Sequence, residues 1–196
     1  TISGGRTNRI GTLSYMSGIS GGYANQIASN SAFTHIGGGQ GNYIFTRATN
    51  STIGGGWQND IDEDSADSVV AGGSGHIIGE RAERSAIGGG WGNTVSDDSP
   101  NGTISGGEYN RIASNSPYAA IGGGSWNVIE SQSAFSTVAG GATNHVLENS
   151  SFSTISGGNS NIVGGNYATV GGEINNSATG EYSTVIGGDD NDADGH

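Results

Sequence analysis

The stretch that decides the fold is Ser51-Thr-Ile-Gly-Gly-Gly-Trp-Gln-Asn-Asp-Ile61, because the whole chain of 196 residues repeats it. In each copy a β-branched residue precedes glycines, an asparagine and a second apolar residue. The first apolar residue recurs every 17 residues from residue 2 to residue 155, and two further copies follow at steps of 15. A fixed period of this length is typical of repeat proteins, whose units stack on one another.

Aligned copies form columns of like residues. The first apolar column, which we call the isoleucine column, contains Ile2, Ile19, Ile36, Ile53, Val70, Ile87, Ile104, Ile121, Val138 and Ile155. The asparagine column follows six residues later and contains Asn8, Asn25, Asn42, Asn59, Asn93, Asn110, Asn127, Asn144 and Asn161, with His76 as the exception among them. A second apolar column follows two residues after the asparagines.

These columns predict an all-β parallel β-solenoid (β-roll). Two short β-branched segments per copy, separated by glycines, are typical of two strands per 17-residue coil. Alternation along each strand points both apolar columns inward, and the glycine pair forms a tight corner. The asparagines are expected to stack as an amide ladder that satisfies the backbone of the turn. We predict about twelve coils in one domain, residues 1–188, followed by an acidic tail, residues 189–196.

Composition limits the partners. The net charge is −12, and the chain has six arginines, no lysine and no cysteine. A protein that binds nucleic acid or an anionic membrane surface needs clustered cationic side chains, so neither is expected as a partner. No apolar run approaches the length of a membrane span, so membrane insertion is not expected either.

The repeat carries a family resemblance. Its unit, Ser-Thr-Ile-Gly-Gly-Gly-x-x-Asn-x-Ile, resembles the Ser-x-Ala-Ile-Gly-x-x-Ala/Asn-x-Ala repeat of YadA-type trimeric autotransporter adhesin heads. Residues 176–185 are also similar to repeats of tail-fibre-like surface proteins. Residues 159–164 are similar to the x-x-Asn-x-Val-x-Gly unit of the plant antifreeze β-roll. Both families imply a left-handed parallel β-roll, and the resemblance spans the whole chain.

Two outward-facing features are candidate interaction surfaces. The neighbours of the isoleucine column form a flat face of small residues that includes Thr52, Thr103, Thr137, Thr154 and Thr169. This face could order water as an ice-binding plane, pack against a second rod, or simply face solvent. An aromatic column contains Tyr118, Phe135, Phe152, Tyr167 and Tyr182. It is either a stack that packs on its own neighbours or a strip that docks another subunit or a glycan.

Sites for catalysis or cofactors are scarce. Asp190, Asp192 and Asp194 alternate before a glycine as in the opening of a calcium-binding loop, although a solvated acidic turn explains them equally. No other cofactor is indicated. The four histidines fall in unrelated columns, so we expect no catalytic residues and no enzyme activity. Five further aromatic residues follow the glycine corner by one or two places: Tyr23, Trp57, Trp91, Tyr109 and Trp126. Aromatic residues on the loops of a solenoid can stack on sugars, but these are scattered along the chain and are interpreted as turn packing.

The sequence therefore predicts a non-enzymatic extracellular or cell-surface protein with a structural or adhesive role, as a shaft or head segment of a fibre. The alternative is an ice-binding solenoid that uses the flat face. Strand edges without capping segments predict self-association, either as an end-to-end filament or as a lateral trimer. A glycan or another cell-surface ligand is the remaining partner expected.

Overall fold

The structure, a computed structural model, describes residues 1–194 and confirms an all-β parallel solenoid of about eleven turns. One sheet has twelve strands: β1 (Arg9–Ile10), β3 (Gln26–Ile27), β5 (Tyr43–Ile44), β7 (Asp60–Ile61), β9 (Ile77–Ile78), β11 (Thr94–Val95), β13 (Arg111–Ile112), β15 (Val128–Ile129), β17 (His145–Val146), β19 (Ile162–Val163), β21 (Ser177–Ala178) and β23 (Asp192–Ala193). The other has eleven: β2 (Gly18–Ile19), β4 (His35–Ile36), β6 (Thr52–Ile53), β8 (Val69–Val70), β10 (Ala86–Ile87), β12 (Thr103–Ile104), β14 (Ala120–Ile121), β16 (Thr137–Val138), β18 (Thr154–Ile155), β20 (Thr169–Val170) and β22 (Thr184–Val185). The described elements include no helix that could cross a membrane.

All strand pairs are parallel and join equivalent residues of successive coils. Ile87, for example, pairs with Val70 on one side and with Ile104 on the other. A third ladder of single β-bridges runs along the corner after the glycines, from Arg6 to Asp189. The two sheets and this corner ladder run along the whole length of the solenoid.

The core is one residue thick on each sheet. From Ile19 to Ile155 every side chain of the isoleucine column is at most 1% exposed, and the second apolar column is equally buried from Ile27 to Ala178. Ile2 differs from the prediction because it is 44% exposed, since only one neighbouring coil covers it in this chain. Ile10 is partly buried for the same reason.

The glycine corner requires glycine for two reasons. Gly56 has a φ of +97°, in the left-handed region that side chains with a Cβ rarely adopt. A Cβ at Gly56 would also clash with the carbonyl oxygen of Gly73 in the next coil. The close approach of successive coils at this corner therefore excludes any other residue in most turns.

The predicted boundary at residue 188 differs from the structure. Asp189 continues the corner ladder by pairing with Ile174, and β23 pairs with β21. The described part of the predicted acidic tail, residues 189–194, therefore continues the solenoid. The reason is that Asn191 and Ala193 occupy the asparagine and second apolar columns despite the acidic residues between them.

Substitution of an inward residue is expected to abolish folding. Ile104→Asp would bury an unpaired carboxylate between Ile87 and Ile121, the neighbours of Ile104 in the isoleucine column. The adjacent Thr103 is exposed, so Thr103→Ala should cost less than about 1 kcal/mol. Circular dichroism during thermal unfolding measures both. A cooperative, wild-type-like transition for Ile104→Asp would contradict the assignment of this column to the core.

Candidate functional site

The asparagine column forms a ladder that binds the glycine corners together. The Nδ2 group of Asn59 donates to the carbonyls of Gly55 in its own coil and Gly73 in the next. The backbone N–H of Asn59 donates to Oδ1 of Asn42, 3.0 Å away. Direct side-chain bonds occur in only part of the ladder, such as Asn59 to Asn42 at 3.1 Å. The ladder therefore joins side chain to backbone more than side chain to side chain, and it extends to Asn176 and Asn191.

Serine hydroxyls form similar axial ladders at the opposite corners. The Oγ of Ser51 donates to the carbonyl of Ser65 and accepts the N–H of Ser68, both at 3.1 Å. Ser65 makes the equivalent pair of bonds with Gly79 and Ala82. The buried hydroxyls thus satisfy backbone groups at the turns, where the sheets do not reach.

His76 replaces asparagine in one coil. Its backbone N–H donates to Asn59, and its Nδ1 accepts the backbone N–H of Asn93 at 3.1 Å. Nδ1 therefore acts in place of the asparagine oxygen, and the proton of the neutral ring lies on Nε2. Nε2 is buried and makes no hydrogen bond. Burial lowers the pKa of His76.

A charged corner covers the middle coils. Arg47 makes a bidentate pair with Asp64 at 2.6 and 2.8 Å, and Arg81 makes the same pair with Asp98. These four residues succeed one another in adjacent coils, so their charges alternate along the axis. The arginines hold the pKa values of Asp64 and Asp98 below the usual range.

Asp60 and Asp62 behave oppositely to the paired aspartates. Both are half-buried on the outer face of the twelve-stranded sheet. Burial raises the pKa of Asp60 to about 6. Burial and the charges of Asp60, Asp97 and Glu80 raise the pKa of Asp62 to about 6. These carboxylates therefore destabilise the fold when they are ionised.

The predicted aromatic column is a continuous stack, which we call the aromatic ladder. It comprises Tyr118, Phe135, Phe152, Tyr167 and Tyr182. Successive ring centroids lie 4.8–5.1 Å apart and the ring planes are within 7° of parallel. The side chains are nevertheless 47–68% exposed. Neighbouring rings cover the faces of the inner members, so the ladder presents mainly ring edges to solvent.

The flat face is uniform only at one end. Thr137, Thr154, Thr169 and Thr184 are adjacent in register on the eleven-stranded sheet. Thr52 instead pairs with His35 and Val69, and Thr103 pairs with Ala86 and Ala120. An unbroken threonine array therefore occupies four coils, beside the aromatic ladder.

The structure places the tryptophans along one edge of the solenoid, whereas in the sequence they look scattered. Trp57 and Trp91 belong to the corner ladder, two coils apart, with Ser74 between them. Trp91 contacts Tyr109 with ring centroids 5.2 Å apart, and Tyr109 stacks on Trp126 at 4.4 Å. A second aromatic edge therefore follows the glycine corner. Alignment at the 17-residue period hides it, because its period is 34 residues.

No metal centre emerges from residues 1–194. That range contains no group of three or more His, Asp or Glu residues close enough to hold a metal ion. Asp192 lies in β23, and Asp194 accepts a hydrogen bond from Thr179 at 2.7 Å. Gly195, the turn glycine of the predicted calcium loop, lies outside the described residues, and calcium binding stays a prediction.

Comparison with known proteins adds no family assignment. No protein-family model matches the chain, and no curated protein matches it significantly. A regular β-solenoid is typical of structural proteins. The outward surfaces of the solenoid are therefore the features that bear on its function.

Removal of one amide from the ladder is expected to destabilise the protein. Asn110→Ala deletes the bonds to the carbonyls of Gly106 and Gly124 and the acceptor for the N–H of Asn127. Because that N–H remains buried, the cost should be about 1–3 kcal/mol. Denaturant unfolding measures it, with Thr103→Ala as the exposed control. Equal stability of Asn110→Ala and wild type would disprove the structural role of the ladder.

Replacement of a destabilising carboxylate is expected to stabilise the protein at neutral pH. Because the pKa of Asp60 is raised in the folded protein, ionisation of Asp60 opposes folding fully above about pH 6. This penalty disappears as the pH falls towards about 4, which is the pKa of an aspartate in the unfolded chain. Asp60→Asn should therefore gain on the order of 1 kcal/mol at pH 7.5, after allowance for solvent screening, and nothing at pH 4.

The measurement is the difference in unfolding free energy between Asp60→Asn and wild type at each pH. This difference cancels the opposing contribution of His76, whose lowered pKa weakens folding as the pH falls below about 6.5. A difference independent of pH would show that Asp60 titrates normally.

Proposed function

We propose that this chain is a non-enzymatic structural segment of an extracellular surface fibre, a shaft or head, that associates laterally with further copies. The observation that carries the proposal is the half-exposed aromatic ladder beside the threonine array. A contiguous exposed apolar patch of this size is often an interaction surface. The two continuous sheets of the solenoid suit a fibre segment, because successive coils present the same faces at a fixed rise.

The surroundings of the aromatic ladder favour a second copy as its partner. Across Phe135 and Phe152 the flanking columns contain only uncharged residues: Asn115, Gln132, Asn149, Pro117, Ala134, Ser151, Ala120, Thr137, Thr154 and Thr169. A protein of net charge −12 repels its own copies wherever its acidic surfaces meet. This uncharged flank is the surface on which two copies approach with the least repulsion.

The spacing and area of the ladder agree with self-association. Only a partner with the same axial rise can match five rings at 4.8–5.1 Å without interruption, and a second copy has that rise. Five half-exposed aromatic side chains present roughly 500 Å². Two such surfaces bury about 1,000 Å², near the lower limit of a specific interface, and the threonine array adds to it.

Ice binding is the second candidate function, and the four adjacent threonines favour it. Regularly spaced threonines on a flat sheet could order water. The uniform array is short, however, and the next outward column contains Ser156, Gly171 and Ile186 instead of a second row of threonines. Thermal hysteresis at micromolar protein tests this candidate. Clear ice shaping by the wild type, lost in Thr154→Leu, would make ice binding the primary function.

Substitution of the aromatic ladder is expected to weaken self-association without unfolding the chain. The ladder residues have φ near +60°, and the same column contains Asn50 and Asn101 at φ of 58° and 62°. Asparagine therefore fits the backbone, and Phe135→Asn with Phe152→Asn removes apolar surface only. Sedimentation velocity should show wild-type oligomers and a largely monomeric double variant.

The matched control is Ile77→Ser, which removes an exposed apolar side chain from the opposite sheet and should leave association unchanged. A wild type that stays monomeric at high concentration and low salt would contradict the fibre proposal.

A further inference from the structure

The corner ladder contains an exposed aromatic residue in every second coil at Tyr23, Trp57 and Trp91. Two coils further on, Trp126 lies next to the ladder residue Ser125. We call these four aromatic residues the aromatic comb. Along the ladder the pairing order is Tyr23, Gln40, Trp57, Ser74, Trp91. Aromatic residues thus alternate with small or hydrogen-bonding residues. The comb side chains are 46–56% exposed.

The comb differs from the aromatic ladder in the surface that it offers. Successive comb residues lie two coils apart, about 9.6 Å at a rise of ~4.8 Å per coil. Among the described residues Trp57 stacks on no other ring, whereas the inner rings of the aromatic ladder are covered on both faces. Trp57 therefore leaves both ring faces free of other rings, whereas Tyr109 contacts the next two members of the comb and Arg6 lies over the Tyr23 ring at 6.0 Å from its centroid. Within residues 1–194 each of the three tryptophans keeps at least one face without a stacked ring, and sugars bind aromatic side chains through ring faces.

The interval matches one class of polymer. An extended β-1,4-linked glycan turns by half a revolution per sugar, so the same face of the chain recurs at every second sugar. That repeat is close to twice the coil rise. Gln40, Ser74 and Glu108 alternate with the comb rings in the same column and can bond the hydroxyls of intervening sugars. The net charge of −12 disfavours an acidic polysaccharide.

The far end of the comb is already ordered. Tyr109 lies between Trp91 and Trp126 and contacts both. Its ring covers Gly92, where a Cβ would approach the ring to 2.8 Å. Packing that fixes aromatic side chains before a ligand arrives lowers the entropic cost of binding.

We propose that the aromatic comb binds an extended, neutral β-1,4-linked polysaccharide such as cellulose or chitin, one disaccharide per comb residue. This inference deepens the proposed function by naming the adhesive ligand, and it uses a different edge of the solenoid from the one assigned to self-association.

Intrinsic fluorescence reports directly on this edge, because all 3 tryptophans of the chain lie on it. Titration with cellohexaose and chitohexaose should change the tryptophan emission, and the protein should be depleted from solution by insoluble cellulose or chitin. Maltohexaose, which is α-1,4-linked and curved, should bind at least about tenfold more weakly. Equal binding of maltohexaose would overturn the match in spacing.

Two variants test the residues and their spacing. Trp57→Ser and Trp91→Ser each place in the column the residue that Ser74 already contributes, so the backbone is undisturbed. Each should weaken binding about tenfold, equivalent to the loss of one aromatic contact. The exchange variant, Ser74→Trp with Trp91→Ser, keeps the composition but halves the interval from Trp57, and it should bind as weakly as Trp91→Ser. If insoluble cellulose and chitin depleted the exchange variant from solution as fully as they deplete the wild type, a spacing-dependent site would be disproved.

The matched control is the double variant Phe135→Asn with Phe152→Asn, which removes similarly exposed rings from the other edge. It should lose self-association and keep glycan affinity per chain, whereas the comb variants should do the reverse. If the wild type sedimented as oligomers but bound no glycan, only the assignment of the comb as a glycan site would be overturned. If the wild type bound glycan as expected but remained monomeric, only the fibre proposal would be overturned.

Discussion

Axial hydrogen bonding between successive coils is the constraint on which the rest of this structure depends. Every backbone N–H and C=O group that points along the axis must pair with a C=O or N–H group of the next coil, and successive coils lie about 4.8 Å apart. A buried side chain is therefore acceptable only if it can pack on, or hydrogen-bond to, the residues of its own column in the neighbouring coils. Isoleucine and valine do so by packing, while asparagine and serine do so by donating to one coil and accepting from another. This explains how fully buried polar columns coexist with a core so thin.

The constraint is visible where the repeat departs from its pattern. His76 is accommodated because its Nδ1 lies where the asparagine oxygen would accept, but its Nε2 remains without a partner. The 15-residue coils omit one serine corner, yet both sheets continue in register, one through Thr154, Thr169 and Thr184 and the other through Val163, Ala178 and Ala193. Variation is thus tolerated at the serine corner, which only closes the coil. It is costly at the glycine corner, where successive coils approach most closely.

The periodicity of the sequence was sufficient to predict the fold, both apolar columns and the asparagine ladder, because each depends on the contact of one coil with the next. Features with twice that period were not predicted. The alternation of Arg47, Asp64, Arg81 and Asp98 and the recurrence of Trp57 and Trp91 both need two coils per repeat. Alignment of single copies makes such residues look like irregular substitutions. The raised pKa of Asp60 was also not predicted, because it depends on how far neighbouring coils cover an outward side chain.

The outward surfaces divide the solenoid into segments, and this division bears on how two copies would lie side by side. The edge that carries paired charges between residues 47 and 98 carries the aromatic ladder between residues 118 and 182. In an antiparallel pair the rings of one copy would cover the charges of the other, which would lose solvation without gaining partners. In a parallel pair rings meet rings, and Arg47 and Arg81 keep the aspartate partners of their own chain, while surplus carboxylates such as Asp67 would meet their copies. The match of ring to ring, rather than the charges, is therefore what favours parallel copies in the lateral association proposed above, and a fibre with a single polarity requires parallel copies.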